Sequence, residues 1–453
     1  MKLIYNIKDK PKFSQLIVFA IQQLLAIMAA TLVVPVIIGN GMEPAAALFG
    51  AGCGTLVYIL FTKASSPVFL GSSFAFLGSM AAAFAGAATV ELGYLGLIIG
   101  AILAGLVYVV IALIVKLVGV AWINKLMPAV VIGPTVAIIG LSLAGNAVGD
   151  ILKGNVTGEA GEVLAAPFVC LLCGLVTLAV TMLCATFGKK MLRLIPFIMG
   201  ILAGYAVAAI FTIIGNVAGI DALKVLNFGA FSVLVEGGVG LHTFFSVPAF
   251  TFLTAFGGFG ELSGSYIASI AVAYIPVAFV VFAEHIADHK NLSSIIGSDL
   301  LADPGLHNTL LGDGIGSFCG AFFGGCPNTT YGESVGCVAI TRNASVATIT
   351  TTAVLCMLIS FFGPFVTFLA SIPNCVMGGV CITLYGFIAV SGLKMIQKVD
   401  LNASKNLFVV AVILIAGIGG LSLTFGKVTL TSIACALILG ILVNLLVSKA
   451  QEQ

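Results

Sequence analysis

Long apolar runs, separated by glycine, proline and charged residues, dominate the pattern of the chain. Several runs reach the roughly 20 residues that an α-helix needs to cross a bilayer. When the sequence is divided at these glycine, proline and charged residues, it predicts fourteen membrane-crossing segments. They lie near residues 14–38, 44–62, 66–87, 93–118, 127–148, 163–187, 194–216, 264–289, 306–325, 328–342, 345–371, 375–393, 406–421 and 428–448.

Two of these segments, near 66–87 and 328–342, are poor helix formers. Residues 71–76 and 328–332 within them are rich in small, β-branched and hydroxyl side chains, which favour extended backbone. Extended backbone at membrane depth is tolerated only where it is buried in protein or lines a cavity. We therefore expect two short strands that approach each other near the bilayer midplane, each leading into a half-helix whose N-terminal N–H groups face a cavity. The alternative is a pair of glycine-rich packing segments without a ligand.

Composition supports a membrane protein. Of the 453 residues, 60% are hydrophobic and 8% are charged, against roughly 45–50% and about 25% in soluble domains. So few basic residues leave no phosphate-neutralising surface, and nucleic acid is not an expected partner. The CxxC pair Cys170 and Cys173 lies in an apolar run, which favours buried apolar residues over a metal or redox site. The segment 1–13 lacks a small-residue cleavage site, so the first helix is predicted to be retained.

The basic residues predict an orientation. With fourteen spans and a cytoplasmic N-terminus, sixteen of the nineteen Lys and Arg residues fall inside and three outside, in agreement with the positive-inside rule. An odd number of spans would spoil this pattern in one half. We therefore predict a multi-pass protein with both termini in the cytoplasm.

Two motifs that recur along the chain indicate that its two halves are related. The motif PAVVIG, which begins at Pro128, is echoed by PNCVMG at Pro373, and the hydroxyl-rich stretch after Pro67 is echoed by the one after Pro327. Halves of seven spans each must be inverted relative to one another. Poorly helical segments at corresponding positions of an inverted repeat are the best sequence pointer to a transporter's binding site.

Three acids carry the candidate chemistry: Glu284, Asp288 and Glu333. An ionisable group at membrane depth is costly and usually marks a substrate or proton pathway. Glu284 and Asp288 share a helix face at i, i+4, and Glu333 follows the second broken segment. A carboxylate is also a strong acceptor for the N–H donors of a nucleobase or another cyclic amide. Carboxylates held in salt bridges are the alternative, as is a solvated helix face for Asp288.

Two histidines alternate with these acids. His285 and His289 are spaced for a shared metal, but the zincin motif HExxH places its Glu after the first His, whereas here the Glu comes before it. We expect no metal and no cofactor. His285 is expected to neighbour the site as a proton relay or packing residue, and His289 to lie at the membrane interface. For Asp313, a further embedded acid, helix packing and a coupling role both stay open.

These residues resemble the nucleobase–ascorbate transporter family, and within it the bacterial uracil:proton symporters. The resemblance covers nearly the whole chain, from the run at Gln22 to the last helix. The family signature is Gln, Glu or Pro, then Asn, any residue, Gly, four residues, Thr, and Arg or Lys. Here it reads ESVGCVAITR from Glu333 to Arg342. The stretches GSSFAF at Gly71 and PNTTYGE at Pro327 are also similar to the uracil branch.

The resemblance implies an all-α polytopic membrane protein of 14 transmembrane segments as 7+7 inverted repeats, with two short antiparallel strands in segments 3 and 10. A core domain would comprise residues 1–120 (spans 1–4) and 261–372 (spans 8–11). A gate domain would comprise residues 121–260 (spans 5–7) and 373–453 (spans 12–14). The implied function is proton-coupled import of a nucleobase, uracil first, across the bacterial cytoplasmic membrane by alternating access. Xanthine or another purine is the alternative, and a homodimer is compatible with this assignment.

The resemblance also implies roles for individual residues. Glu284 and Glu333 would bind the N–H edges of the base, and backbone N–H groups of two residues would meet its carbonyl oxygens. The implied residues are Glu284, Glu333, Phe74, Gly332, Ala30 and Tyr331 for the substrate, and Asp288, His285 and Glu284 for proton coupling.

Three positions differ from the uracil pattern. The signature Asn is Ser334, the Gln-His pair of the first span is Gln22-Gln23, and the coupling histidine is Asp288, as in the purine carriers of the family. Anion carriers of the same architecture need a positive site, which three carboxylates disfavour. A channel is disfavoured because one occluded acidic site suits alternating access, and an enzyme because no nucleophile–base set is evident.

Overall fold

The computed structural model describes residues 3–119, 122, 128–158, 162–189, 191–236, 238–425 and 428–447. Five basic residues used to predict the orientation, Lys2, Lys125, Lys190, Lys427 and Lys449, lie outside these ranges, as do the predicted domain borders at 120 and 121. Within these ranges the chain is mostly helical, with four short strands.

The main helices are numbered here after the predicted segments in which they lie. They are Phe13–Ile38 (α1), Pro44–Phe61 (α2), Leu77–Ala85 (α3), Val90–Val118 (α4), Ala129–Ser142 (α5), Pro167–Phe187 (α6), Pro196–Ala218 (α7), Gly264–Ile296 (α8), Leu306–Gly324 (α9), Gly332–Thr341 (α10), Val346–Ile359 (α11), Asn374–Ile396 (α12), Ser404–Ile418 (α13) and Ser432–Val447 (α14). Shorter helical pieces are Phe74–Phe76, Ala144–Asp150, Met191–Leu194, Asp221–Leu223, Gly229–Leu234, Leu241–Phe244, Thr251–Ala255, Phe256–Glu261, Leu301–Gly305 and Gly363–Ser371.

Eight helices of the described residues are long and apolar enough to cross a membrane. They are α1, α2, α4, α5 continued by Ala144–Asp150, α6, α7, α8 and α12. Four shorter apolar helices are Phe74–Ala85, α11, α13 and α14. The prediction of a helical multi-pass membrane protein is confirmed, whereas the count of fourteen spans and the inverted repeat stay predictions.

Local sequence sets the helix ends. Helices α2, α6 and α7 begin with proline, whose fixed φ suits the first helical position and which lacks an N–H that would go unpaired there. Helices α7, α8 and α9 end at glycines with φ of 67°, 72° and 73°, in the left-handed region that other residues avoid. Helix α8 runs to Ile296, seven residues beyond its predicted end at 289. Glu284 and Asp288 therefore lie inside the helix and not at its end.

Two buried strands pair at the centre of the fold. Leu70–Ser72 (β1) is antiparallel to Asn328–Thr330 (β2), with Gly71 opposite Thr329. Strand β1 leads into Phe74–Phe76 and α3, and β2 leads into α10. The predicted pair of short antiparallel strands is confirmed. Residues 74–76 are helical, however, and not extended as predicted, because the first turn of the half-helix begins there.

A second strand pair was not predicted. Leu423–Phe425 (β3) and Val428–Leu430 (β4) form an antiparallel pair between α13 and α14. Two threonines, one phenylalanine and one valine in these strands favour extended backbone. The prediction that the last span begins at 428 is therefore wrong, since α14 begins at Ser432.

Glycines allow the closest helix contacts. Helix α9 packs against α2 and α4, and α12 packs against α5 and α6. A Cβ atom added at Gly54 of α2 would lie 2.5 Å from the carbonyl oxygen of Gly316 in α9. One added at Gly140 of α5 would lie 2.2 Å from the carbonyl oxygen of Tyr385 in α12. Small residues thus bring helix backbones together, as is common in membranes.

Candidate binding site

A cavity of about 380 Å³ lies where the two strand-led half-helices meet α8. Its polar wall is formed by Glu284 and Asp288 from α8, Thr330 from β2 and Glu333 from the first turn of α10. Its apolar wall comes from α5, α7 and α12. The residues of the apolar wall are Val136, Ile139, Phe197, Leu384, Phe387 and Ile388.

Three carboxyl groups line this cavity. Glu284 and Asp288 stand one helical turn apart on α8, and Glu333 faces them from α10; all three are half-buried. Asp288 is held by the Thr330 hydroxyl, which donates a hydrogen bond of 2.7 Å to its Oδ2. No Lys or Arg is among the described residues that line this cavity. The polar wall therefore offers strong hydrogen-bond acceptors without a positive side chain beside them.

Backbone donors lie close to these acceptors. Phe74 opens one half-helix and Gly332 opens the other, and both residues line the cavity. The first N–H groups of a helix have no partner within that helix and form the positive end of its dipole. The cavity can therefore present backbone donors beside carboxylate acceptors.

Tyr331 holds the two strands and α1 together. Its hydroxyl donates to the Ser72 carbonyl oxygen over 2.8 Å and accepts from Thr31 Oγ1 over 3.4 Å. Its ring packs on Gly71, where an added Cβ would lie 2.4 Å from the ring carbons. Glycine at position 71 is thus required by the Tyr331 ring. Ala30 is buried on α1 in the same apolar cluster as Tyr331 and is not among the residues that line the cavity.

Helices α1 and α2 supply hydrogen bonds to the strands that sequence reasoning missed. Thr55 Oγ1 accepts from the Leu70 N–H over 2.9 Å, and Asn328 Nδ2 donates to the Gly50 carbonyl oxygen over 3.1 Å. Gln23 Nε2 donates to Ser334 Oγ over 2.5 Å, and Ser334 Oγ also accepts from the Phe69 N–H. Side chains thus provide hydrogen-bond partners for N–H and C=O groups of buried backbone at the strands, which water cannot reach.

The histidines lie behind the cavity and do not line it. His285 Nδ1 is 2.6 Å from Asp313 Oδ2 on α9, and His289 Nε2 is 2.6 Å from the Tyr58 hydroxyl on α2. All four side chains are fully buried. The prediction that His289 is interfacial is wrong, because α8 continues past it and packs it against α2.

A second, larger cavity of about 810 Å³ adjoins the first. Asp288 and Ala287 of α8 and Ser391 and Met395 of α12 line both. The larger cavity is also lined by three basic residues, Lys290, Lys394 and Lys398. Asp288 therefore lies at the junction between the inner cavity and a basic vestibule.

A helical membrane protein with paired strand-led half-helices around one polar cavity has the architecture of a membrane transporter. The chain belongs to the Permease family, whose model matches residues 14–426. This membership makes the chain a transport protein and not an enzyme.

Individual relatives narrow this assignment. The chain is 36% identical to the uracil permease of Bacillus subtilis (strain 168), covering 100% of this chain and 97% of that protein. It is 38% identical to the uracil permease of Bacillus caldolyticus, covering 98% and 95%. It is also 34% identical to the uracil permease of Escherichia coli (strain K12), covering 97% and 93%.

Solved structures share the fold at low sequence identity. The transmembrane domain of the cyanobacterial bicarbonate transporter BicA superposes with a TM-score of 0.62 at 16% identity, covering 97% of this chain and 99% of that one. The inward-facing murine Solute Carrier 26 family member A9 anion transporter superposes with a TM-score of 0.63 at 13% identity, covering 97% and 69%. At this identity the likeness establishes the fold alone.

Proposed function

We propose that the protein imports uracil together with protons across the bacterial cytoplasmic membrane by alternating access. The observation that carries the proposal is the meeting of Glu284 and Glu333 with the first residues of two half-helices in one cavity. Uracil presents N–H donors and carbonyl acceptors on the edge of one ring. Carboxylates suit the donors, and backbone N–H groups suit the carbonyls. Relatives at 34–38% identity that are uracil permeases support the same substrate.

Six residues at or near the cavity have proposed roles in substrate binding. Glu284 and Glu333 accept from the N–H groups of the base, and the backbone N–H groups of Phe74 and Gly332 donate to its carbonyl oxygens. Tyr331 shapes the pocket through its contact with β1, and Ala30 supports it from α1. The volume of about 380 Å³ lies near the lower end of the roughly 300–1,000 Å³ usual for small-molecule sites.

Proton coupling is assigned to the cavity acids. A proton bound along with the base would lower the net negative charge that must move through a low-dielectric environment. Asp288, held by Thr330 at the junction of the two cavities, is best placed to exchange that proton with water in the vestibule. Of the two roles open to His285, its contact with Asp313 behind the cavity favours helix packing over a proton relay.

The transport cycle is proposed to move a core domain against a gate domain. The core would hold residues 1–120 and 261–372, and the gate 121–260 and 373–453, within fourteen spans arranged as 7+7 inverted repeats. The polar wall of the cavity comes from the first set and its apolar wall from the second. Both termini and the basic vestibule would face the cytoplasm, and the protein would function as a homodimer or as a single chain.

Uptake into proteoliposomes tests the proposal. Purified protein is reconstituted and radiolabelled uracil uptake is measured with an inward pH gradient, without a gradient, and with a protonophore. We expect the gradient to drive accumulation and the protonophore to abolish it. Absence of uracil uptake would refute the substrate, and uptake that ignores the pH gradient would refute proton coupling.

A purine is the second candidate substrate, favoured by Asp288 where the uracil symporters carry histidine. Unlabelled xanthine is added to the same assay in competition with uracil. Competition by xanthine at lower concentration than uracil would assign the carrier to purines. Bicarbonate, the substrate named for one structural neighbour, serves as the anion control and is not expected to compete.

A further inference from the structure

A buried hydrogen-bonded group joins α8 to α9 beside the cavity and is not used by the binding site described above. Asp313 Oδ2 lies 2.6 Å from His285 Nδ1, and His285 Nε2 lies 3.0 Å from Thr309 Oγ1. All three side chains are fully buried, and none lines either cavity near Asp288.

The Thr309 hydroxyl is the partner of the other ring nitrogen of His285. The same hydroxyl lies 3.0 Å from the Leu306 carbonyl oxygen, to which it can donate. In that arrangement the Thr309 oxygen accepts from His285, and His285 Nε2 carries a hydrogen.

The contact between Asp313 and His285 Nδ1 then holds one proton. Without a proton between them, a carboxylate oxygen and a ring lone pair would face each other at 2.6 Å. With two protons, both groups would be donors and neither could accept. With one proton, either the carboxyl O–H donates to Nδ1 or the ring N–H donates to the carboxylate. In both arrangements the net charge of the pair is zero.

The neighbouring His289 is not placed to accept this proton, because both of its ring nitrogens have other hydrogen-bond partners. His289 Nδ1 lies 2.7 Å from the His285 carbonyl oxygen, which only accepts, so Nδ1 carries the hydrogen of a neutral ring. Tyr58 then donates to His289 Nε2, and Ser66 donates to the Tyr58 oxygen over 2.7 Å. The His285 and His289 rings stack with centroids 4.0 Å apart, where two positive rings would repel each other.

The groups that face the pair from the neighbouring helices are uncharged. Tyr108 of α4 faces the His285 ring with centroids 6.3 Å apart and is itself buried. The tyrosine of α2 reaches only His289, and α9 contributes Thr309. The acids Glu284 and Asp288 of α8 line the cavity instead.

We infer that Asp313 and His285 form a neutral pair that keeps one proton throughout the transport cycle, so the proton moved with the substrate is carried by the cavity acids. Both are positioning residues: they fix α8 on α9 at the residue that follows Glu284 and lies three positions before Asp288. The inference rests on the proposed proton-coupled transport and identifies which buried acids do not take part in coupling.

The test is the proton-to-uracil ratio of Asp313→Asn. An asparagine amide can donate to His285 Nδ1 as a protonated carboxyl group would, but it cannot release a proton. The ratio is obtained from the pH gradient that holds a set uracil gradient at zero net flux in proteoliposomes. Folding of each variant is checked by monodispersity and by its thermal unfolding midpoint. We expect Asp313→Asn to keep the wild-type ratio, even if its uptake rate falls several-fold.

Asp288→Asn is the matched variant, with the same chemical change on the cavity wall, and we expect it to lower the ratio. His285→Gln provides a second variant of the pair and should also keep the wild-type ratio. A folded Asp313→Asn or His285→Gln protein whose uptake no longer responds to the pH gradient would overturn the inference. If uptake by the wild type itself did not respond to the pH gradient, the proposal of proton-coupled transport would be refuted. That outcome differs from a response that is lost only in the Asp313 or His285 variants, so the two failures are distinguishable.

Discussion

Replacement of Glu284 by glutamine is the sharpest test of the proposed site. The change keeps the size of the side chain and removes the negative charge. In the cavity, Glu284 lies on the polar wall beside Asp288 and opposite the start of α10. The glutamine can still accept one hydrogen bond through its carbonyl oxygen, but an amide rotated the other way would place N–H groups against the N–H groups of the base.

The expected loss follows from the hydrogen bond at stake. A hydrogen bond to a charged group contributes about 1.5–3 kcal/mol. Removing the charge alone should therefore weaken uracil binding roughly 10- to 150-fold. If the amide faces the base with its N–H groups, an unpaired polar group adds about 1–3 kcal/mol. Binding would then fall below the detection limit of most assays.

Isothermal titration of purified protein with uracil measures this loss. Glu261→Gln is the matched control, because Glu261 accepts from Thr89 Oγ1 on an exposed surface outside the cavity lining. The control should bind uracil as the wild type does, and both variants should keep the wild-type unfolding midpoint in the absence of ligand. A dissociation constant for Glu284→Gln within threefold of the wild type would remove Glu284 from the substrate site.

Three further changes test the architecture around the cavity. Gly54→Ala, whose Cβ would lie 2.5 Å from a backbone oxygen of α9, should destabilise the protein by about 1–3 kcal/mol in thermal unfolding, whereas Gly149→Ala, with nothing within 4 Å, should not. Tyr331→Phe leaves the buried Ser72 carbonyl without its side-chain donor and should cost about 1–3 kcal/mol of stability; an unchanged midpoint would deny that this bond holds the strands. Gln23→Ala and Ser334→Ala should be non-additive in a double-mutant cycle of uracil affinity, because the two side chains bond each other; strict additivity would show that the bond does not support the site.

The sequence predicts those features that depend on residue type and on near neighbours along the chain. Residues 71–76 and 328–332 are poor helix formers, and the structure pairs strands at both places. The rarity of charge in the chain directed attention to Glu284, Asp288 and Glu333, which line one cavity. These features depend on residue type and on neighbours along the chain, so they can be predicted without knowing which helices touch.

The apolar wall and the buried histidines could not be found in this way. Phe197, Leu384 and Phe387 belong to ordinary apolar helices, and nothing in their local sequence separates a cavity wall from a lipid-facing surface. His289, expected at the membrane interface from the sequence, is instead buried, and its partner Tyr58 comes from α2. A residue whose partner lies 231 positions away carries no local signal of that contact.

Two departures from the uracil pattern show why a motif should be interpreted in the three-dimensional structure. Position 334 holds serine where the signature has asparagine, and position 23 holds glutamine where histidine is typical. Taken one at a time, each would weaken the assignment of the site. In the structure, however, the Gln23 amide donates to the Ser334 hydroxyl, which accepts from the Phe69 N–H ahead of β1. The long side chain on α1 thus reaches the short one on α10, in the residue next to Glu333. The two unusual residues therefore support each other in this chain, and neither can be interpreted from its own position in the sequence alone.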